Sequence, residues 1–167
     1  MKLSTKGRYA VMAMADLAIY SNGKPVALAN VAARQEISLS YLEQLFAKLR
    51  RSNLVFSVRG PGGGYKLARA ASDTRVSDII MAVDEPLNVT RCEDGSPKGC
   101  TKTSSRCLTH DLWDELGRQI YLYLSSVSLD DVTNSRILPK GPRVPQFDPA
   151  FTTPPTDTLQ QDMSDNQ

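Results

Sequence analysis

The sequence predicts a mainly α chain with one small β-hairpin, and three observations predict it. Apolar residues recur at helical spacing in five stretches, at 5–20, 28–35, 40–51, 76–83 and 111–127. The period falls to two only between residues 54 and 67, around the glycine-rich run RGPGGG. From Pro139 onward, six of the chain's ten prolines stand among Gly, Thr, Asp and Gln, and the apolar pattern stops.

Taken in order, the first helix places Ala10, Ala13, Met14, Leu17 and Ala18 on one face, and Ser21-Asn22-Gly23 ends it. LANVAARQ (28–35) fits a shorter second helix with Leu28, Val31 and Ala32 inward, and a turn at Glu36-Ile37-Ser38 leads to the third. There Leu42, Leu45, Phe46 and Leu49 form a full stripe, and Ser40 with Glu43 matches a capping box, Ser38 being the competing N-cap. Leu54, Phe56 and Val58 then alternate with Val55, Ser57 and Arg59, and Tyr65 and Leu67 resume the pattern beyond the tip, as in a hairpin. A short helix at 76–83 precedes the Asp84-Glu85-Pro86 break. After His110 the leucine-like positions Leu112, Leu116, Ile120 and Leu124, flanked by Trp113, Tyr123 and Val127, predict one long amphipathic helix. The tail from 136 to 167 has too little apolar surface to offset its ordering entropy and is expected to be disordered.

The 167 residues, 41% hydrophobic, suffice for one domain with extensions. No apolar run approaches ~18 uncharged residues, so no membrane span is expected. The net charge of +2 conceals a division: residues 1–75 carry +8 and the remainder −6. A basic half is the electrostatic footprint of a polyanion-binding module, since each cation set against a phosphate releases condensed counterions. Three cysteines are an odd count, and the N-terminus is a charged entry into a segment containing Asp16. Both disfavour a secreted disulfide framework and favour a cytoplasmic, reducing setting.

Three helices followed by a hairpin is the order of a winged helix-turn-helix. With the leucine stripe of the third helix inward, Ser40, Gln44, Ala47 and Arg51 face outward, flanked by Tyr41, Glu43 and Lys48. Gln44 suits adenine, Ser40 and Tyr41 suit base edges or phosphates, and Lys48 and Arg51 suit backbone oxygens. The hairpin tip puts Arg59 beside almost bulk-free residues, so that backbone N–H groups can approach a phosphate chain and the guanidinium can enter a narrow minor groove. A nucleotide-binding loop fails on spacing, because Tyr65 and Lys66 begin a strand where such a loop would open a helix.

All three cysteines and the only histidine fall within nineteen residues: Cys92, Cys100, Cys107 and His110. The surrounding TRCEDGSPKGCTKTSSRCLTH is polar and nearly free of aliphatic residues, so it cannot bury inert thiols in a core. Thiolate and imidazole donors in this number suit tetrahedral zinc or an iron-sulfur cluster, and the four residues do not say which. The last two would stand where the long helix begins, whose partial positive charge favours an anionic, thiolate-rich centre.

These residues resemble the IscR-like family of cluster-binding winged-helix repressors, from residue 1 to about 135. KGRYAV (6–11), ISLSYLEQLFAKLR (37–50), VRGPGGGYKL (58–67), AVDE (82–85) and TRC…CLTH (90–110) carry the resemblance. It implies a 2Fe-2S cluster on Cys92, Cys100, Cys107 and His110. It further implies DNA contacts from the helix at 38–51, Ser38 included, and from the wing at Arg59 and Gly60, with homodimerisation through the helix at 111–127. The seven and six residues separating the cysteines exceed the gaps usual in the family; only Cys107-Leu-Thr-His110 matches it closely.

The expected organisation is a winged helix-turn-helix DNA-binding domain (1–85), a cluster-binding loop (86–110), a dimerisation helix region (111–135) and the tail. The expected function is a cluster-sensing regulator of iron-sulfur biogenesis and stress genes. Its partners would be double-stranded operator DNA, a second copy of the chain and the iron-sulfur assembly machinery as cluster donor. Two rivals are a nitric oxide- or iron-responsive relative with a different cluster and a zinc-stabilised adaptor. An enzyme using Cys107 and His110 is disfavoured, since no carboxylate to orient the imidazole stands out.

Overall fold

The computed structural model describes residues 4–85 and 105–137. The element order is α1 (Thr5–Tyr20), α2 (Leu28–Gln35), α3 (Leu39–Arg51), β1 (Val55–Val58), β2 (Gly64–Leu67), a 3-10 turn (Ala71–Asp73), α4 (Val76–Ala82), α5 (His110–Ser126) and α6 (Leu129–Thr133). All five expected helices and the hairpin are present, so the mainly α class with a two-stranded antiparallel sheet holds. Of the tail expected to be disordered at 136–167, Arg136 pairs with Asp130 and Asp131 and Ile137 packs against the cluster of Val76, Ile80 and Val127, so the expectation fails for these two; residues 138–167 and 86–104, with Cys92 and Cys100, lie outside the described residues. No described helix is long and apolar enough to cross a membrane.

The core forms where the helical stripes converge. Met14 and Leu17 of α1, Val31 of α2 and Leu42, Phe46 and Leu49 of α3 are fully buried, joined by Leu54, Ile79 and Leu129. Phe46 packs edge-on against Tyr65 of β2, with ring centroids 4.9 Å apart, so one side chain ties α3 to the hairpin.

Two local readings are corrected. Helix α3 is capped by Ser38, whose extended backbone lets Oγ accept from the Tyr41 N–H at 3.3 Å. The helix therefore begins before Ser40, and the Ser40/Glu43 capping box does not form. The hairpin face is inverted: β1 starts at Val55, which is buried, while Phe56 is 44% exposed and Val58 also points outward. The register, Val55↔Leu67 and Ser57↔Tyr65, puts Val55 with Leu67 and Tyr65 on the inner side. Leu54 is buried from the turn that precedes the strand, where Asn53 has φ +56, so period two does not extend through it.

One element was not expected from the sequence, in the return after α5. Ser128 caps a short helix, α6, through a reciprocal capping box with Asp131, and Leu129 of that helix is fully buried in the main core. Two backbone bonds, Val76 N–H to Val127 C=O (3.0 Å) and Leu129 N–H to Thr74 C=O (2.8 Å), lock this return beside the start of α4.

Asp16, met in sequence only as a charge within an apolar helix, is fully buried and joins α1 to α2. Arg34 donates to both carboxylate oxygens (2.9 and 2.6 Å), Gln35 donates at 2.8 Å, and the guanidinium stacks over Tyr20 at 4.1 Å. Removing Arg34 would leave the buried carboxylate uncompensated, at a cost of about 3–5 kcal/mol, so the pair ties α2 to α1.

Candidate nucleic-acid interface and metal centre

The outward face of α3 is built by the inward stripe: with Leu42, Leu45, Phe46 and Leu49 buried, helical geometry exposes Ser40, Glu43, Gln44 and Arg51, and Ser38 stands exposed at the N-cap. Basic residues gather in the last turn, Lys48, Arg50 and Arg51, where the helix dipole favours cations. Two of the expected contact residues have additional duties. Tyr41 is half-buried and meets Tyr9 edge-on, with centroids 6.1 Å apart, so its ring braces α3 against α1. Lys48 is ion-paired, its Nζ 2.7 Å from Oδ2 of Asp84 at the end of α4. That ammonium holds the Asp84 carboxyl below the usual carboxylate range, with Lys6 and Arg51 adding to the effect. Neighbouring Glu85 is likewise lowered, because its carboxylate accepts from both the N–H and the hydroxyl of Ser4 at the N-cap of α1.

The wing tip is formed by backbone rather than side chains. Gly60, at φ +102, accepts from the Gly63 N–H at 2.9 Å, closing the turn beside exposed Arg59. At Gly64 a Cβ would lie 2.3 Å from the Val26 carbonyl oxygen. Val26 and Tyr65 exchange backbone bonds of 3.0 and 2.8 Å at that place, so glycine there lets the segment before α2 seat against β2 and anchors the wing.

Cys107 and His110 are brought together by one turn, the His110 N–H donating to the Cys107 carbonyl at 3.0 Å as α5 begins. Both are half-buried. Thr109 stands between them: Trp113 Nε1 donates to its Oγ1 at 3.2 Å, and that oxygen lies 3.8 Å from Cys107 Sγ. Thr109 therefore does not use its side chain to cap the helix. A soft sulfur donor and an imidazole three residues apart fit half of the ligand set that a tetrahedral iron or zinc needs. Among the described residues no third candidate ligand gathers with them.

Among the described residues, helix α5 buries none of its seventeen side chains. Leu112 (61% exposed), Trp113, Leu116 and Tyr123 (50%) lie open, and only its C-terminal end is engaged, with Leu124 packing on Val76, Ile80 and Val127. The expected stripe thus exists, but its first two leucines face outward.

Three inwardly packed helices, the third with an exposed polar and basic face, and a glycine-tipped hairpin define the winged helix-turn-helix of a transcription regulator. The chain is 55% identical over 132 residues to the HTH-type transcriptional regulator ORF2 of Azotobacter vinelandii, covering 79% of each. It is 52% identical over 136 residues to the HTH-type transcriptional regulator IscR of Photorhabdus laumondii, covering 81% of each. Among solved structures it is similar to T. potens IscR, with a TM-score of 0.65 and 38% identity over 81% of this chain and 88% of that one. Residues 3–135 match the family Rrf2, Iron-dependent Transcriptional regulator, and the chain belongs to it. It is a DNA-binding transcription regulator and not an enzyme.

Proposed function

We propose that the chain is a cytoplasmic, homodimeric regulator of iron-sulfur biogenesis and stress genes that senses iron-sulfur supply through a 2Fe-2S cluster. The observation that carries this reading is the Cys107-x-x-His110 turn opening α5, a helix whose apolar face the described residues leave uncovered. Cys92, Cys100, Cys107 and His110 would hold the cluster, received from the iron-sulfur assembly machinery. When bound, the group would supply a redox-active, labile centre at the start of the dimerisation helix. Thr109 orients the Cys107 side of the turn, and Trp113 fixes Thr109. DNA affinity responds to the state of this turn only if free and DNA-bound protein hold the cluster differently, because the coupling is reciprocal.

On the DNA side, α3 enters the major groove of operator DNA with Ser38, Ser40, Tyr41, Glu43 and Gln44 nearest the bases, while Lys48, Arg51 and the wing residues Arg59 and Gly60 lie nearest the phosphates. Residues 1–85 serve as the reading domain, 86–110 as the ligand loop and 111–135 as the dimerisation region. The test is a salt series on an operator duplex selected from a random library and on a random duplex. Gln44→Ala is expected to cost about 1–3 kcal/mol at the selected site and almost nothing on random DNA. Arg59→Ala is expected to weaken both and reduce the salt slope by about one. Equal, small effects of the two substitutions would remove α3 and the wing from the interface.

A further inference from the structure

Lys48 and Asp84 form a surface ion pair in which the carboxylate side chain is 76% exposed but its backbone is fixed by the fold. Lys48 lies one turn beyond Gln44 on the flank of α3 that the DNA-reading face shares with Tyr41. Asp84 is held by the fold: its N–H donates to the Met81 carbonyl at 3.0 Å, its backbone sits in the left-handed region (φ +55), and the next residue is clasped by Ser4. Its carboxylate accepts from the Lys48 ammonium at 2.7 Å, with Lys6 and Arg51 adding positive charge around it, so it competes for the cation with any other anion that approaches.

We propose that Asp84 is a specificity-determining residue that withholds the Lys48 ammonium from the DNA backbone and so lowers sequence-independent affinity. This rests on the reading of α3 as the DNA-facing helix. A phosphate contact adds to binding on every sequence alike, whereas base contacts add only at the cognate site. Withdrawing one cation by an internal carboxylate therefore widens the ratio between specific and non-specific binding without touching a base-reading side chain. The two carboxylate residues directly precede the stretch bearing the first two candidate ligands.

Asp84→Asn tests this, because asparagine tolerates the left-handed backbone and keeps the size of the side chain; an unchanged thermal melt establishes that the fold is intact. With the full chain and a random duplex, the variant is expected to bind about three- to tenfold more tightly near 0.1 M salt and to steepen the salt slope by about one, the signature of one added phosphate contact. Adding Lys48→Gln to it should abolish the gain, and that substitution should weaken binding to the random duplex distinctly less in the parent chain, where the carboxylate competes for the ammonium, than in Asp84→Asn. A gain that survives Lys48→Gln would be a general charge effect and would overturn the proposal, as would no gain at all. If Gln44→Ala still discriminates the selected site in those cases, the reading of α3 stands and only the role of Asp84 falls. If Gln44→Ala is also silent, α3 is not the DNA-facing helix.

Discussion

Protein carrying Leu116→Glu with Tyr123→Glu should sediment as a monomer while keeping the helical content and melting behaviour of its own fold. Both side chains lie exposed on one stripe of α5, so replacing them removes no buried contact among the described residues. In a dimer they would face the second copy, where two carboxylates per chain would be desolvated against an apolar surface. The helix is about 25 Å long at 1.5 Å per residue, enough for the two α5 helices to cover each other's open leucine and aromatic positions. Because a helix-turn-helix dimer engages two half-sites, losing the dimer removes the second from the same binding event. Affinity for a two-half-site operator should then fall by about 10²–10⁴-fold. Sedimentation equilibrium with operator titration checks both parts, and a variant that stays dimeric would place the interface elsewhere. The substitutions lie nearly two turns or more beyond His110, which keeps the ligand turn out of the comparison.

Phe46→Ala should be among the most damaging single truncations in the reading domain, lowering unfolding free energy by about 3–5 kcal/mol. Phe46 is fully buried, and its ring meets Tyr65 edge-on, so truncation opens a cavity and also releases the hairpin from α3. Against a total stability of about 5–15 kcal/mol that loss is a large fraction, expected to lower the melting temperature by more than 10 °C. Phe46→Leu, which keeps much of the volume, should lose distinctly less. Urea midpoints for the three proteins decide it: equal midpoints for the parent and the alanine variant would mean that the α3–hairpin contact carries no stability.

What was legible in the sequence follows the range of the forces involved. Helices α1 to α5 were readable because each keeps a local apolar period, and the glycines at 60–64 announced the wing because a tight tip needs them. The face of β1 was misread because its turn places Leu54 and Val55 both inward, which strict alternation cannot express. Helix α6 carried a signal that went unused, the Ser128-x-x-Asp131 cap, since only five residues follow it and its burial depends on α1. The Asp16–Arg34 and Lys48–Asp84 pairs span 18 and 36 residues, and no local pattern marks partners so far apart. Of the candidate metal site, the Cys107–His110 turn was legible because three-residue spacing at a helix start brings its ends together whatever the rest of the fold does.

Whether Cys92, Cys100, Cys107 and His110 hold a 2Fe-2S cluster or a structural ion is decided by what the isolated protein carries. Iron, acid-labile sulfide and zinc assays on anaerobically isolated protein, with its visible absorption spectrum, address it directly. The account predicts red-brown protein with about two irons and two sulfides per chain, both lost in Cys107→Ala. Colourless protein with one zinc per chain and no sulfide would contradict it.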